Sequence, residues 1–280
     1  MKALITGASS GIGRDMARIL SKTYDEIVIV GRNEENLNNL KKELKTKVKI
    51  VVMDLSIPNN CTKLHDENPN IDFLINCAGF GDCGEFTETD LNKELKMIDT
   101  NIKALHILTK LYLIDMKKKD NGRILNIASI AGFMPGPLMS TYYATKSYVL
   151  RLSEGIKEEL RRTKSNVKIN VLCPGPVDTN FKKNANVDFI FNGIKSYDVA
   201  QYALNNLNKF YIVPGIIFKI THIITHIMPI IKDKKIILFH DTYVYTYESN
   251  INNTILKDGY NWIKKILLLI MRVKDIKQDY

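Results

Sequence analysis

The strongest constraint in this sequence is an alternation: six short apolar runs separated by segments whose apolar residues recur at helical spacing. The runs are expected as strands at Lys2–Thr6 and at residues 26–32, 48–55, 72–79, 122–128 and 168–175. Strands separated by helices need crossover connections, so they pair in parallel, and a parallel sheet has to be covered on both faces. The expected fold is therefore α/β: a doubly wound, mainly parallel sheet with helices on both faces and ligands at the carboxyl ends of the strands. With 280 residues, 45% hydrophobic and 25% charged, the chain has the length for one large core or two small ones and an ordinary globular composition.

Several runs end in residues suited to a ligand. After the first comes Gly7-Ala8-Ser9-Ser10-Gly11-Ile12-Gly13, then a helix marked by Met16, Ala17, Ile19 and Leu20. Glycines let a backbone approach a pyrophosphate, and a helix N-terminus adds free N–H groups and the positive end of its dipole. A glycine-rich turn can be merely a turn, but a strand before it and a helix after it favour dinucleotide binding. The second run ends in Gly31-Arg32, where an acid would hold the adenosine ribose of NAD. Arginine there pairs instead with a 2′-phosphate, so NADP is the expected cofactor, while Glu34 and Glu35 keep NAD open. Asp54, beside Leu55, is placed for adenine, and Asn76, Ala78 and Gly79 close the fourth run where a cofactor can lie against the chain.

Residues 129–146 bring together a hydroxyl, a phenol and an ammonium: Ser129, then Tyr142 and Lys146 one turn apart on a helix that Ser140 or Thr141 can cap. Side chains four apart share a helix face, so the ammonium is expected to favour the ionised phenol and lower a pKa of about 10. Such a phenol gives a proton to a carbonyl oxygen as hydride arrives, or takes one from an alcohol as hydride leaves, and Ser129 can hold the same oxygen. Alone, Tyr-x-x-x-Lys is weak, because such pairs usually cover the surface of half-exposed helices. Asn101 falls inside an expected helix over residues 87–117, where an asparagine is ordinarily just tolerated.

The excess of 40 Lys+Arg over 30 Asp+Glu gives a net charge of +10, compatible with an anionic cofactor, nucleic acid or an acidic membrane surface. No aromatic-interleaved basic patch or nucleic-acid motif accompanies it, so no nucleic-acid partner is expected. The four cysteines include no Cys-x-x-Cys pair, and Cys77 and Cys173 sit in apolar runs, which reads as reduced thiols in a cytoplasm. Met1-Lys2 leads straight into the first strand, so no targeting segment is expected.

In chain order, Thr6-Gly7-Ala8-Ser9-Ser10-Gly11-Ile12-Gly13, Asp54-Leu55, Asn76-Cys77-Ala78-Gly79, Asn101, Ser129, Tyr142-x-x-x-Lys146 and Pro174-Gly175-Pro176-Val177-Asp178-Thr179 resemble the short-chain dehydrogenase/reductase family, in its compact single-domain, NADP-dependent branch. The resemblance covers roughly residues 1–215, the expected NADP-binding Rossmann catalytic domain. It implies hydride transfer between NADP(H) and a carbonyl or alcohol, with Tyr142 as general acid or base. It further implies that Lys146 lowers the phenol's pKa and holds the nicotinamide ribose, that Ser129 orients the carbonyl, and that Asn101 anchors a water in the proton relay. By the same resemblance, Thr179 and the preceding turn, with Pro174, Gly175 and Val177, contact the nicotinamide carboxamide. Cys77 departs from the pattern, since the family most often has a second asparagine there.

Beyond Thr179 the sequence says less. Phe181, Val187, Phe189, Ile190, Phe191 and Ile194 suit either a lid over a lipophilic ketone or 3-oxoacyl substrate or ordinary core, with a helix near Ser196 and a seventh strand at 211–214. Residues 216–280 form an expected C-terminal helical extension of unknown role. Ile216, Ile217, Ile220, Ile223, Ile224, Ile227 and Ile231 make an amphipathic stripe. His222 and His226 have metal-ligand spacing but no third ligand, so no metal is expected. The apolar residues 263–271, with basic neighbours, are suited to lying on a membrane surface or docking on a protein. A homo-oligomer is expected, in the cytoplasm, with peripheral membrane contact through the extension. The competing reading is a non-catalytic NADP-binding redox sensor that engages a partner; an intact catalytic set argues against it.

Overall fold

The computed structural model describes residues 1–187, 193–215 and Phe218. Strands β1 (Lys2–Thr6), β2 (Glu26–Gly31), β3 (Lys47–Val52), β4 (Phe73–Asn76), β5 (Arg123–Ile127), β6 (Lys168–Leu172) and a short last strand over Tyr211–Ile212 form a seven-stranded sheet. All of its pairings are parallel, and the strand order in chain numbering is 3-2-1-4-5-6 followed by the last strand. Residues of the inner strands are buried on both faces: Ala3 and Ile5 pack into one cluster and Leu4 into another, as do Ile27 and Ile29 against Val28 and Val30. Helices α1 (Gly11–Leu20) and α2 (Glu34–Glu43) cover the first face with Met16, Leu20, Leu37 and Leu40. Helices α3 (Pro58–Asp66), α4 (Leu91–Ile98), α5 (Leu105–Lys119) and α6 (Ser140–Arg162) lie in sequence between β3 and β6; Leu64, Leu108, Tyr112 and Leu160 from three of them fill the second face. This is the expected doubly wound parallel sheet with helices on both faces.

Because β1 and β4 are neighbours while the chain between them runs out to β3 and back, the sheet reverses its winding at their carboxyl ends, where such folds open a crevice. The two ends are stitched together. Thr6 Oγ1 accepts the N–H groups of Cys77 and Ala78 at 2.9 and 3.0 Å. A Cβ on Gly7 would stand 2.9 Å from Ala78 Cα, so only glycine allows that approach. Beneath the crevice, Asn76 and Asn126 are register partners on β4 and β5. Asn76 Nδ2 donates to Thr109 Oγ1 (3.0 Å) and Asn126 Oδ1 (2.9 Å), and Asn126 Nδ2 to Ser153 Oγ (3.0 Å), tying two strands to α5 and α6.

Several expectations change. Helix α3 is an addition, begun by Pro58 at its first turn and buried only through Cys61 and Leu64, a pattern too short to read as a helix. The strands expected to reach residues 55 and 79 stop at Val52 and Asn76, leaving Asp54, Leu55, Ala78 and Gly79 in the connecting loops. The expected helix over 87–117 is α4 and α5 joined by a π-helical turn over Asp99–Ala104. Helix α6 is preceded by Met139 without a side-chain cap, so neither Ser140 nor Thr141 caps it. After β6, the chain forms β7 (Val177–Asp178), the short helix α7 (Phe181–Ala185), β8 (Ile194–Lys195), which pairs with β7, and α8 (Ser196–Asn205). The last sheet strand, expected at 211–214, is β9 (Tyr211–Ile212). Phe189, Ile190, Phe191 and the calls on Ile216, Ile217, Lys219 and onward, His222 and His226 included, lie outside the described residues.

Candidate active site

The loop between β1 and α1 is a cradle with room for no side chains at its glycines. Gly7 and Gly11 have φ of +68° and +56°, in the region that favours glycine. A Cβ on Gly13 would stand 2.6 Å from Gly7 O. Ser10 precedes α1 in extended conformation with no side-chain cap, and the first turn holds no acid. The first N–H groups of α1 are thus left for a ligand, in a field that favours an anion. These features fit the pyrophosphate of a dinucleotide.

From this cradle a cavity of about 310 Å³ extends in two directions. One end is walled by Ser9, Ser10, Gly31, Arg32, Asp54 and Leu55, the other by Ser129, Tyr142, Lys146 and the turn from Pro174 to Thr179. Arg32 is exposed at the rim just past β2, where a cation can meet a phosphate on the adenosine ribose. Asp54 accepts hydrogen bonds from Ser56 N and Oγ at 3.0 and 2.8 Å and lies 3.4 Å from Lys96 Nζ.

At the other end, β5 delivers Ser129 in extended conformation before a tight 3-10 turn, Ile130–Phe133. Ser129 Oγ accepts from Ala131 N (3.1 Å) and donates to Pro174 O (3.3 Å). That turn sits against α6: a Cβ on Gly132 would stand 2.7 Å from Lys146 O, and Ser147 Oγ donates to Gly132 O at 2.9 Å. The contact fixes Tyr142 and Lys146 opposite Ser129. Lys146 is buried, and its Nζ donates to Ile127 O at 3.0 Å.

The expected effect of Lys146 on the phenol is not what the geometry gives. Burial pushes Tyr142 up to about 12, and only the neighbouring Ser129 hydroxyl opposes it. The ammonium lies over the ring, 5.7 Å from its centroid, and does not offset the effect of burial. Burial pushes Lys146 itself down to about 8. Spacing of four put the two side chains on one helix face as expected; the enclosing walls, invisible in the spacing, set the protonation.

Most of the sequence candidates line this cavity: Gly7, Ser9, Ser10, Gly11, Ile12, Arg32, Asp54, Leu55, Ala78, Gly79, Ser129, Tyr142, Lys146, Pro174, Gly175, Val177 and Thr179. Gly13 supports the cradle from behind. Asn76 does not reach the wall: its side chain is buried and its Nδ2 is taken up by the network with Thr109 and Asn126. Asn101 is also off the wall: its Oδ1 accepts from Phe80 N (3.1 Å) and its Nδ2 donates to Phe80 O (2.9 Å) and Thr145 Oγ1 (3.1 Å). Its side chain therefore clamps the loop after β4 to α6, and its neighbour Thr100 lines the cavity instead. The π-helical turn around Asn101 is a type of irregularity that recurs at functional sites.

Sequence reasoning missed the apolar half of the wall: Phe80, Met134, Met139 and Tyr143. Phe181, which suits either a lid or core by sequence, lines the cavity, and its ring lies 5.3 Å from that of Tyr142. The signal available was proximity to the Ser129–Lys146 stretch, since Met134, Met139 and Tyr143 all lie within residues 129–146. Cys77, the departure from the expected pattern, lines the cavity with a thiol that burial pushes up to about 11.

Comparison with known proteins gives a consistent result. A family model described as short chain dehydrogenase matches residues 1–188. An uncharacterized oxidoreductase of Staphylococcus epidermidis is 38% identical over 184 residues, which cover 63% of this chain and 78% of that protein. A short-chain dehydrogenase from Sphingobium yanoikuyae, solved in complex with NADPH, is 28% identical with a TM-score of 0.71, over 77% of this chain and 88% of that one. The bulky-bulky ketone specific alcohol dehydrogenase from Comamonas testosteroni is 26% identical with a TM-score of 0.67, over 77% and 86% of the two chains.

Proposed function

The chain belongs to the short-chain dehydrogenase family and is an oxidoreductase using a nicotinamide cofactor, and on that premise we propose that it transfers hydride between NADP(H) and an uncharged, lipophilic ketone or alcohol. The observation carrying this reading is that Ser129, Tyr142 and Lys146 line one end of a cavity continuous with the glycine cradle. When bound, the dinucleotide supplies or accepts the hydride. The residues of the chain do the rest.

Ser129 and Tyr142 converge on one point, which a carbonyl oxygen can occupy. Tyr142 holds a proton at neutral pH and delivers it to that oxygen as negative charge develops, while Ser129 keeps the oxygen in place. Lys146, hydrogen-bonded to Ile127 O, offers its remaining donors and its charge to the cofactor's ribose. Support for NADP comes from Arg32 at the rim and from the NADPH held by the Sphingobium relative. Support for a lipophilic substrate comes from Phe80, Met134, Met139, Tyr143 and Phe181 around the phenol, and from the bulky ketones of the Comamonas enzyme. Among the described residues the charged wall residues are Arg32, Asp54 and Lys146, so the apolar half offers no charged partner for a substrate carboxylate.

The test is Tyr142→Phe, assayed by NADPH consumption over a panel of ketones, aldehydes and 3-oxoacyl thioesters. Turnover is expected to fall about 10²- to 10⁴-fold with NADPH affinity unchanged. Turnover equal to that of the unaltered protein refutes the assignment.

A further inference from the structure

Phe218 lies beyond residues 1–188, the part matched by the family model, yet it touches the cavity wall. A Cβ on Gly175 would stand 2.4 Å from Phe218 Cζ and 2.5 and 2.6 Å from its two Cε atoms. The tip of the ring therefore occupies the space beside Gly175 that any other residue would fill. Gly215, with φ of +88°, lies on the same ring, 3.0 Å from Cδ2 by the same measure. The ring also packs against the buried cluster containing Ala128, Val171 and Cys173.

What Phe218 presses on is the turn Pro174-Gly175-Pro176, which lines the cavity. Two of its three residues are prolines and have no N–H to anchor them. The turn is held through its carbonyls: Pro174 O accepts from Ser129 Oγ (3.3 Å) and Ile130 N (3.1 Å), and Pro176 O accepts from Ile194 N (3.0 Å). A displacement of this turn moves the acceptor that orients the Ser129 hydroxyl, which shares the cavity wall with Tyr142.

We propose that Phe218 is a positioning residue of the active site, bracing the Pro174-Gly175-Pro176 turn from behind so that the C-terminal extension contributes to cofactor binding and to the orientation of Ser129. This rests on the oxidoreductase reading of the cavity. Misplacement of a positioned group by about 1 Å costs up to about 100-fold in rate, so a brace of this kind has measurable weight.

The experiment uses the full chain and four variants: Phe218→Ala, Phe218→Leu, Gly175→Ala and the double variant Gly175→Ala/Phe218→Ala. NADPH affinity is measured by fluorescence titration, kcat and KM with a turned-over ketone, and folding by thermal unfolding. Phe218→Ala is expected to weaken NADPH binding and lower kcat, each about tenfold, with Phe218→Leu restoring most of both. Gly175→Ala is expected to be impaired to a similar degree, and the double variant to bind NADPH better than Gly175→Ala alone, because removing the ring makes room for the new methyl. A Phe218→Ala protein with lower Tm but unchanged affinity and kcat overturns the proposal, as does a double variant no better than Gly175→Ala. If Phe218→Ala does not fold, the comparison of Gly175→Ala with Gly175→Ala/Phe218→Leu decides in the same way. If the unaltered protein binds NADPH but turns over no carbonyl, the enzymatic reading fails while the affinity comparison still decides the role of Phe218.

Discussion

Lys146 gives the most direct access to the electrostatics of the site. The side chain is buried with one described hydrogen bond, to Ile127 O, and burial holds its pKa at about 8 in place of the usual 10.5. That gap corresponds to about 3 kcal/mol disfavouring the ammonium. An anionic dinucleotide whose ribose Lys146 would hold would stabilise the charged form and return the pKa towards 10.5. Binding then takes up a proton: about 0.1 per site at pH 7, about 0.5 at pH 8 and about 0.9 at pH 9. Below pH 8 the affinity for NADPH is flat. Above it, Kd rises about tenfold per pH unit, to a total of about 300-fold if the return is complete.

Calorimetric titration at pH 9 in two buffers of different ionisation enthalpy measures this uptake. Lys146→Met is the control, expected to show none. Uptake below about 0.2 proton, or equal uptake in Lys146→Met, refutes the argument. Folding of the free protein carries the same signature with its own sign. Between pH 8 and 10.5 the unfolded chain holds the lysine's proton and the folded chain does not, so this contribution to stability rises with pH. The Cys61 and Cys77 thiols act oppositely: burial pushes both to about 11, so their contribution is lost as pH rises from the usual 9 through 11.

Two further tests address cofactor choice and the sheet beneath the site. Arg32→Ala is expected to lower kcat/KM for NADPH about tenfold and leave that for NADH nearly unchanged, the effect being moderated by solvent around an exposed guanidinium; equal losses for both cofactors count against a 2′-phosphate contact. Asn126→Ala removes an acceptor from Asn76 and a donor to Ser153 in a fully buried network. Urea unfolding should register a loss of about 2–3 kcal/mol, and a loss under about 0.5 kcal/mol would mean the network is replaced at no cost.

The fold and the placement of Ser129, Tyr142 and Lys146 at the cavity were legible because both depend on local pattern. Strand ends announced themselves through glycines at places where two chain segments approach too closely for a side chain, as Gly7 approaches Ala78. Tyr142 and Lys146 were legible because helical spacing alone puts them on one face. What local pattern does not carry is the direction of an amide. Asn76 and Asn126 share a residue type and a register, and whether either meets a ligand or the other is decided by α5 and α6 packing above them. The π-helical turn at Asp99–Ala104 was hidden for a similar reason, since its apolar spacing matches that of the α-helices on either side.

The same distinction explains why the phenol's state was misjudged and why the result still suits the chemistry. A catalyst cannot shift the equilibrium between ketone and alcohol; it sets only which protonation state starts each direction. Tyr142, pushed up to about 12 by its enclosure, starts neutral at every physiological pH, which on the proposed reading is the form that donates to a carbonyl. The reverse direction begins from a phenolate, which this enclosure disfavours until positive charge stands close to it. Lys146 supplies that charge only while it stays protonated, and its own burial weakens it from pH 8 upward. On the proposed reading, reduction would therefore start from the resting state of the chain, whereas oxidation would depend on a lysine whose charge a bound dinucleotide would have to sustain, and the linkage at Lys146 would measure how strongly it does so.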